Sequence, residues 1–251
     1  MEPRRATRTS EAPRAGSQPA PRVQDIPGPR RNQSFIGPLF RQVFAWPYRW
    51  ALAGLYRSGI RPWHLTSLSL VANGVVGWLL VRGDRLVPGL LMIVAGLFDV
   101  FDGGVARLRG EAGPAGAFLD SVIDRVSDVI LFGALFWSEA GQGHRLAAAL
   151  ALSSLIVSLL VSYIRAEAEA EGITLTEGVM QRLERYVALM IGLTVPGALL
   201  PILVMLTVLS GITALQRMTS ALARLDLGHR DRQERVTRSA GRFDGGPPPS
   251  V

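Results

Sequence analysis

From Pro62 onward the chain alternates long apolar segments with short polar connectors, and each segment is long enough to cross about 30 Å of hydrocarbon as a helix. Six such runs occur, at 63–82, 86–108, 117–138, 146–166, 183–199 and 201–221. The last two abut at VPGALLP, where Pro and Gly mark a break. No period-two alternation and no internal repeat interrupts them. Ahead of the first run, Pro38 to Gly59 reads PLFRQVFAWPYRWALAGLYRSG and mixes Phe, Trp and Tyr with spaced Arg, the composition of a helix lying in a membrane interface. The pattern predicts an all-α integral membrane protein with six transmembrane helices and an N-terminal interfacial amphipathic helix. It divides the chain into a basic tail (1–34), an interfacial segment (35–60), a six-helix domain (61–222) and a C-terminal tail (223–251).

Charge fixes the expected orientation. Residues 1–34 carry seven Arg against three acids and no apolar run, so they cannot bury enough surface to order themselves and are expected to be disordered and cytosolic. Arg107, Arg109, Arg165, Arg182, Arg185, Arg217, Arg224 and Arg230 fall on the same side as that tail if there are six spans, whereas the opposite connectors hold Arg82, Arg85 and Arg145. The positive-inside rule then places both termini in the cytoplasm and the protein in the cell membrane. The chain is 48% hydrophobic and 19% charged, with a net charge of +7 and no Cys. That excludes a disulfide-stapled secreted domain and thiol redox chemistry. All the basic side chains other than His are Arg, which excludes lysine nucleophiles. The basic tails suit anionic lipid headgroups better than nucleic acid.

Against this background the second and third spans contain acids. Asp99, Asp102, Asp120, Asp124 and Asp128 would each cost a few kcal/mol at membrane depth, so they need partners or a polar cavity. Asp99 and Asp102 are three apart and Asp120 and Asp124 four apart, so each pair shares a helix face. Carboxylates from two helices, near their cytosolic ends, make an all-oxygen site for a hard divalent cation, Mg²⁺ or Mn²⁺. The plainer alternative is neutralisation by Arg107, Arg109 and Arg125, and for Asp128 that structural reading is the stronger. Gly103 and Ala106 continue the face of Asp99 and leave room for a ligand, and Arg107 offers a guanidinium fork to a phosphate.

Asp99-x2-Asp102-Gly103-x2-Ala106-Arg107-x8-Gly116-x3-Asp120-x3-Asp124 resembles, position for position, the signature of the CDP-alcohol phosphatidyltransferase family. The resemblance implies that a CDP-linked lipid lies with its pyrophosphate over two metal ions while an acceptor hydroxyl displaces CMP. It implies Asp99, Asp102, Asp120 and Asp124 as metal ligands, with Asp124 also the general base. It further implies CDP-diacylglycerol contacts from Gly103, Ala106, Arg107 and the Pro62–Thr66 element, namely Trp63, His64, Leu65 and Thr66. Trp63 stands where relatives often have Asn or Asp, and Gly113 where they can carry a hydroxyl.

Segments SYIRAEAEAEGI, QRLERY and ITALQRM resemble those of the actinobacterial branch of the family that uses inositol phosphate as acceptor. The resemblance implies Arg165, Arg185 and Arg217 as the cradle for its phosphate, with Arg182 either a fourth contributor or a flanking charge, and a homodimer. Two other readings remain: a branch using glycerol 3-phosphate to make phosphatidylglycerol phosphate, and, from another class, a divalent-cation transporter, which leaves Gly103, Ala106 and Arg107 without a role.

Overall fold

A computed structural model describes residues 37–175, 178 and 180–240, with side chains between 45 and 226. They form seven α-helices: α1 (Gly37–Arg57), α2 (Pro62–Val81), α3 (Leu86–Arg109), α4 (Pro114–Gly141), α5 (Arg145–Ala170), α6 (Arg182–Thr194) and α7 (Leu199–Ala240). Local sequence sets the boundaries. Pro62 and Pro114 occupy the first turns of α2 and α4, where a missing N–H costs nothing. Gly110 ends α3 with φ 68°, a left-handed position open to glycine. No strand occurs among the described residues.

Four of the helices, α2, α3, α5 and α7 over Leu199–Asp226, are long and apolar enough to cross a membrane. The other two expected spans also form helices, but α4 carries its acids and α6 has only 13 residues, so neither joins that set. Two boundaries differ from the sequence reading. The fifth apolar run was expected to reach 199, yet α6 stops at Thr194, because Pro196 and Gly197 turn the chain before Leu199 starts α7. The expected disordered tail from 223 is instead helical to Ala240. Ala, Leu and Arg prolong α7 there, and Arg224 Nη1 donates to the Thr174 carbonyl at 2.8 Å. The tail at 1–34 and residues 241–251 lie outside the described residues.

The packing order is a closed ring. α2 packs on α3 and α4, α4 on α5, α5 on α7, α7 on α6, and α6 returns to α3; α1 lies outside, against α3. Val76, Leu80, Met92, Leu131, Leu135, Leu189, Leu203 and Leu206 fill the ring interior. Small residues let the helices close: a Cβ at Gly77 would fall 2.7 Å from the Ile130 side chain, and one at Gly104 would collide with Tyr48 and Leu52 of α1. A polar seam runs through the same interior. Ser69 donates to the Ala95 carbonyl at 3.1 Å, Asn73 to Ser127 at 3.4 Å, and Tyr186 to the Met92 carbonyl at 2.9 Å. At the far end, away from the aspartates, the buried Glu139 is held by Arg85 at 2.6 Å and His144 at 2.9 Å, tying the starts of α3 and α5 to the end of α4.

Candidate active site

In this ring α3 and α4 do not pack on each other, but both pack on α2. The second half of α3 and the first half of α4 therefore deliver their acids to one polar end of the ring. Carboxylate oxygens of Asp99, Asp120 and Asp124 lie within 4.8 Å of one another. Three hard oxygen donors that close, with no thiol or imidazole among them, fit a shared Mg²⁺- or Mn²⁺-class cation. Asp102 does not join that trio. It is buried, its Oδ2 accepts from Thr66 Oγ1 at 2.6 Å, and its Oδ1 accepts from the Gly103 N–H. Thr66 thus ties the start of α2 to the aspartate helix.

The neutralising partner is not the one sequence proximity suggests. Arg182, at the first position of α6, places Nη1 3.1 Å from Asp99 Oδ2 and 2.7 Å from Asp124 Oδ1. Arg107, Arg109 and Arg125 turn elsewhere. Arg107 reaches the Tyr48 hydroxyl at 3.5 Å, Arg109 the Tyr56 carbonyl at 3.2 Å, and Arg125 the Ser121 carbonyl at 2.7 Å. Burial pushes the Tyr48 phenol above its ordinary value, with the Arg107 charge opposing it. Asp128 has the structural role expected of it, accepting from Ser158 at 2.7 Å with Arg185 3.7 Å away.

A family model for the CDP-alcohol phosphatidyltransferases matches residues 60–219, which contain the aspartates, Thr66 and Arg182. The chain belongs to that family. Among its relatives, the Mycobacterium marinum phosphatidylinositol phosphate synthase is 35% identical over 190 residues, covering 72% of this chain and 81% of its own. The archaetidylinositol phosphate synthase of Pyrococcus horikoshii is 32% identical, covering 68% and 88%. The Mycobacterium tuberculosis phosphatidylinositol phosphate synthase crystallised with CDP-DAG bound superposes with a TM-score of 0.63 at 31% identity, over 68% of this chain and 91% of that one. The same enzyme in complex with manganese and citrate gives 0.64 at 32% identity, over 68% and 87%.

Within the phosphatidyltransferase frame the remaining expected site residues are dispersed. Gly103 and Arg107 are together, the Arg107 Nη1 passing 3.4 Å from where a Gly103 Cβ would stand, and Ala106 lies one residue before Arg107 on α3. In the first turn of α2, Leu65 is buried against Tyr48, Leu52 and Val105, whereas Trp63 is exposed and stacks on His64, whose Nδ1 accepts the Arg61 N–H at 3.3 Å. Only Thr66 of that element touches the acids. Of the three arginines expected to hold the acceptor, Arg185 and Arg217 are both 5% exposed, donating to the Met180 and Val161 carbonyls at 3.3 and 3.1 Å. Arg165 is exposed and paired one turn along its own helix with Glu169 at 2.8 Å. Sequence reading gave Arg182 no settled role. The available signal was its place one turn before Arg185 on the same helix face.

Proposed function

We infer that this chain transfers the phosphatidyl group from CDP-diacylglycerol to inositol phosphate, giving phosphatidylinositol phosphate and CMP. The identity to named phosphatidylinositol phosphate synthases over more than four fifths of the M. marinum relative carries the choice of acceptor, and the carboxylate trio supports the chemistry. Asp99, Asp102, Asp120 and Asp124 would hold two Mg²⁺ ions, with the Asp102 carboxylate oriented by Thr66. Bound there, such cations would neutralise the pyrophosphate and stabilise departing CMP. The acceptor hydroxyl oxygen bonds to the phosphorus carrying diacylglycerol, the bond from that phosphorus to the CMP oxygen breaks, and Asp124 takes the hydroxyl proton. Thr66, Gly103, Ala106 and Arg107 hold the nucleotide end, with Trp63, His64 and Leu65 framing it. Arg165, Arg185 and Arg217 receive the acceptor phosphate.

The same proposal extends to placement. α2 to α7 serve as six spans, α1 lies in the interface with exposed Trp46 and Trp50 toward the headgroups, and two copies pair as a homodimer in the cell membrane. Both termini and the aspartates face the cytoplasm, where a phosphorylated, water-soluble acceptor is found. An acceptor panel tests the function. Purified enzyme, CDP-diacylglycerol and Mg²⁺ are supplied in turn with inositol phosphate, free inositol, glycerol 3-phosphate and serine, and CMP release is followed. Inositol phosphate is expected to be used far better than the rest. Efficient use of free inositol would remove the phosphate cradle, and preference for glycerol 3-phosphate would make the product phosphatidylglycerol phosphate.

A further inference from the structure

Arg182 sits where a cation is wanted. Its Nη1 grips Asp99 of α3 and Asp124 of α4 at 3.1 and 2.7 Å, and these are two of the three carboxylates able to share a divalent ion. A Mg²⁺-class ion binds carboxylate oxygens at about 2.0–2.1 Å, inside the distance the guanidinium keeps. The two cations would then share the same carboxylates at a separation of a few ångströms, without the room for either to be screened. The guanidinium has somewhere to go, since its side chain is 31% exposed and springs from the first residue of α6. One turn on, Arg185 projects from the same face of α6.

We propose that Arg182 is an internal counter-ion: it holds Asp99 and Asp124 together in the metal-free protein, competes with the divalent cation for them, and on metal entry swings beside Arg185 to bind the phosphate of the acceptor. This rests on the reading of the aspartates as a metal site. One residue thereby couples two events. The acceptor pocket gains its additional positive charge only once the metals are loaded, so metal binding precedes productive acceptor binding. The metal-free carboxylates are meanwhile kept from repelling one another.

Mn²⁺ titration of the full-length protein in detergent, without substrates and followed by the EPR signal of free Mn²⁺, tests the competition. Arg182→Gln is expected to bind Mn²⁺ at least tenfold more tightly than wild type, and Arg182→Lys, with a single-point ammonium, to fall between them. In the loaded enzyme Arg182→Gln is expected to raise KM for inositol phosphate about tenfold while leaving KM for CDP-diacylglycerol unchanged. Unchanged or weaker Mn²⁺ binding in both variants overturns the competition, and an unchanged KM for inositol phosphate overturns the relocation. If Arg182→Gln cannot be purified without metal, Arg182→Lys decides both points. Asp99→Asn separates this idea from its premise: should wild type and Asp99→Asn bind Mn²⁺ alike, the metal site itself is refuted.

Discussion

Asp120→Asn isolates the repulsion inside the carboxylate trio. Arg182 pairs with Asp99 and Asp124, and no ion pair forms to Asp120 among the described residues, so the substitution removes a like charge at the cost of only a longer-range pull from Arg182, which the Asp99 repulsion outweighs. Two carboxylates no more than 4.8 Å apart repel by at least about 3.5 kcal/mol at an effective dielectric of about 20. Asp120 is exposed, and solvent reduces that to about 1 kcal/mol. For a protein of this size about 1 kcal/mol moves the melting temperature by roughly 2–4 °C. Thermal unfolding in detergent should therefore show Asp120→Asn melting that much above wild type when a chelator is present. The order reverses with saturating Mg²⁺ or Mn²⁺, because wild type gains binding energy that the variant largely forgoes. An Asp120→Asn protein that melts below wild type in chelator, or gains as much from metal, would refute the reasoning.

Asp124→Asn should retain measurable Mn²⁺ binding while CMP release falls by about a hundredfold or more, since it removes the proton acceptor along with one ligand charge; parallel loss of both would leave Asp124 a plain ligand. Thr66→Val removes the 2.6 Å bond to Asp102 and should lower CMP release by about ten- to a hundredfold, with recovery in Thr66→Ser; a fully active Val variant would show that Asp102 needs no support from α2. At the far end, Arg85→Met leaves Glu139 buried with only His144 and should cost about 3 kcal/mol in unfolding experiments, whereas Arg85→Met with Glu139→Leu should recover most of it. In a chain without cysteine, Gln142→Cys should be labelled by an impermeant reagent on intact cells and Ser17→Cys should not; the opposite pattern inverts the proposed topology.

Hydropathy and spacing made the helices legible, and the Asp motif pointed to the three carboxylates that come together, because both are properties of single elements: a run of apolar residues, or two acids on one helix face. Partner choice between elements was not legible. Sequence proximity nominated Arg107, Arg109 and Arg125 as counter-ions. The ring instead brings in Arg182, 83 positions from Asp99, because α6 closes onto α3. Leu65, grouped with the nucleotide contacts by the motif it lies in, turns to α1 because the first turn of a helix has more than one face. The end of α7 was missed for a different reason. Its polar continuation has helical propensity but no apolar period to betray it.

The division between the four strongly apolar helices and the remaining two, α4 and α6, has a consequence for how the protein is made. As each segment leaves the ribosome, α2, α3, α5 and α7 can partition into lipid on their own hydropathy. The acids of α4 oppose its entry, and α6, with 13 residues, is only about 20 Å long. Earlier segments offer these two helices polar partners, Asn73 for Ser127 of α4 and the Met92 carbonyl for Tyr186 of α6. Membrane entry of α4 is thus expected to lean on α2, and that of α6 on α3. A substitution in the seam, far from any substrate, is therefore expected to lower the amount of folded protein recovered from membranes.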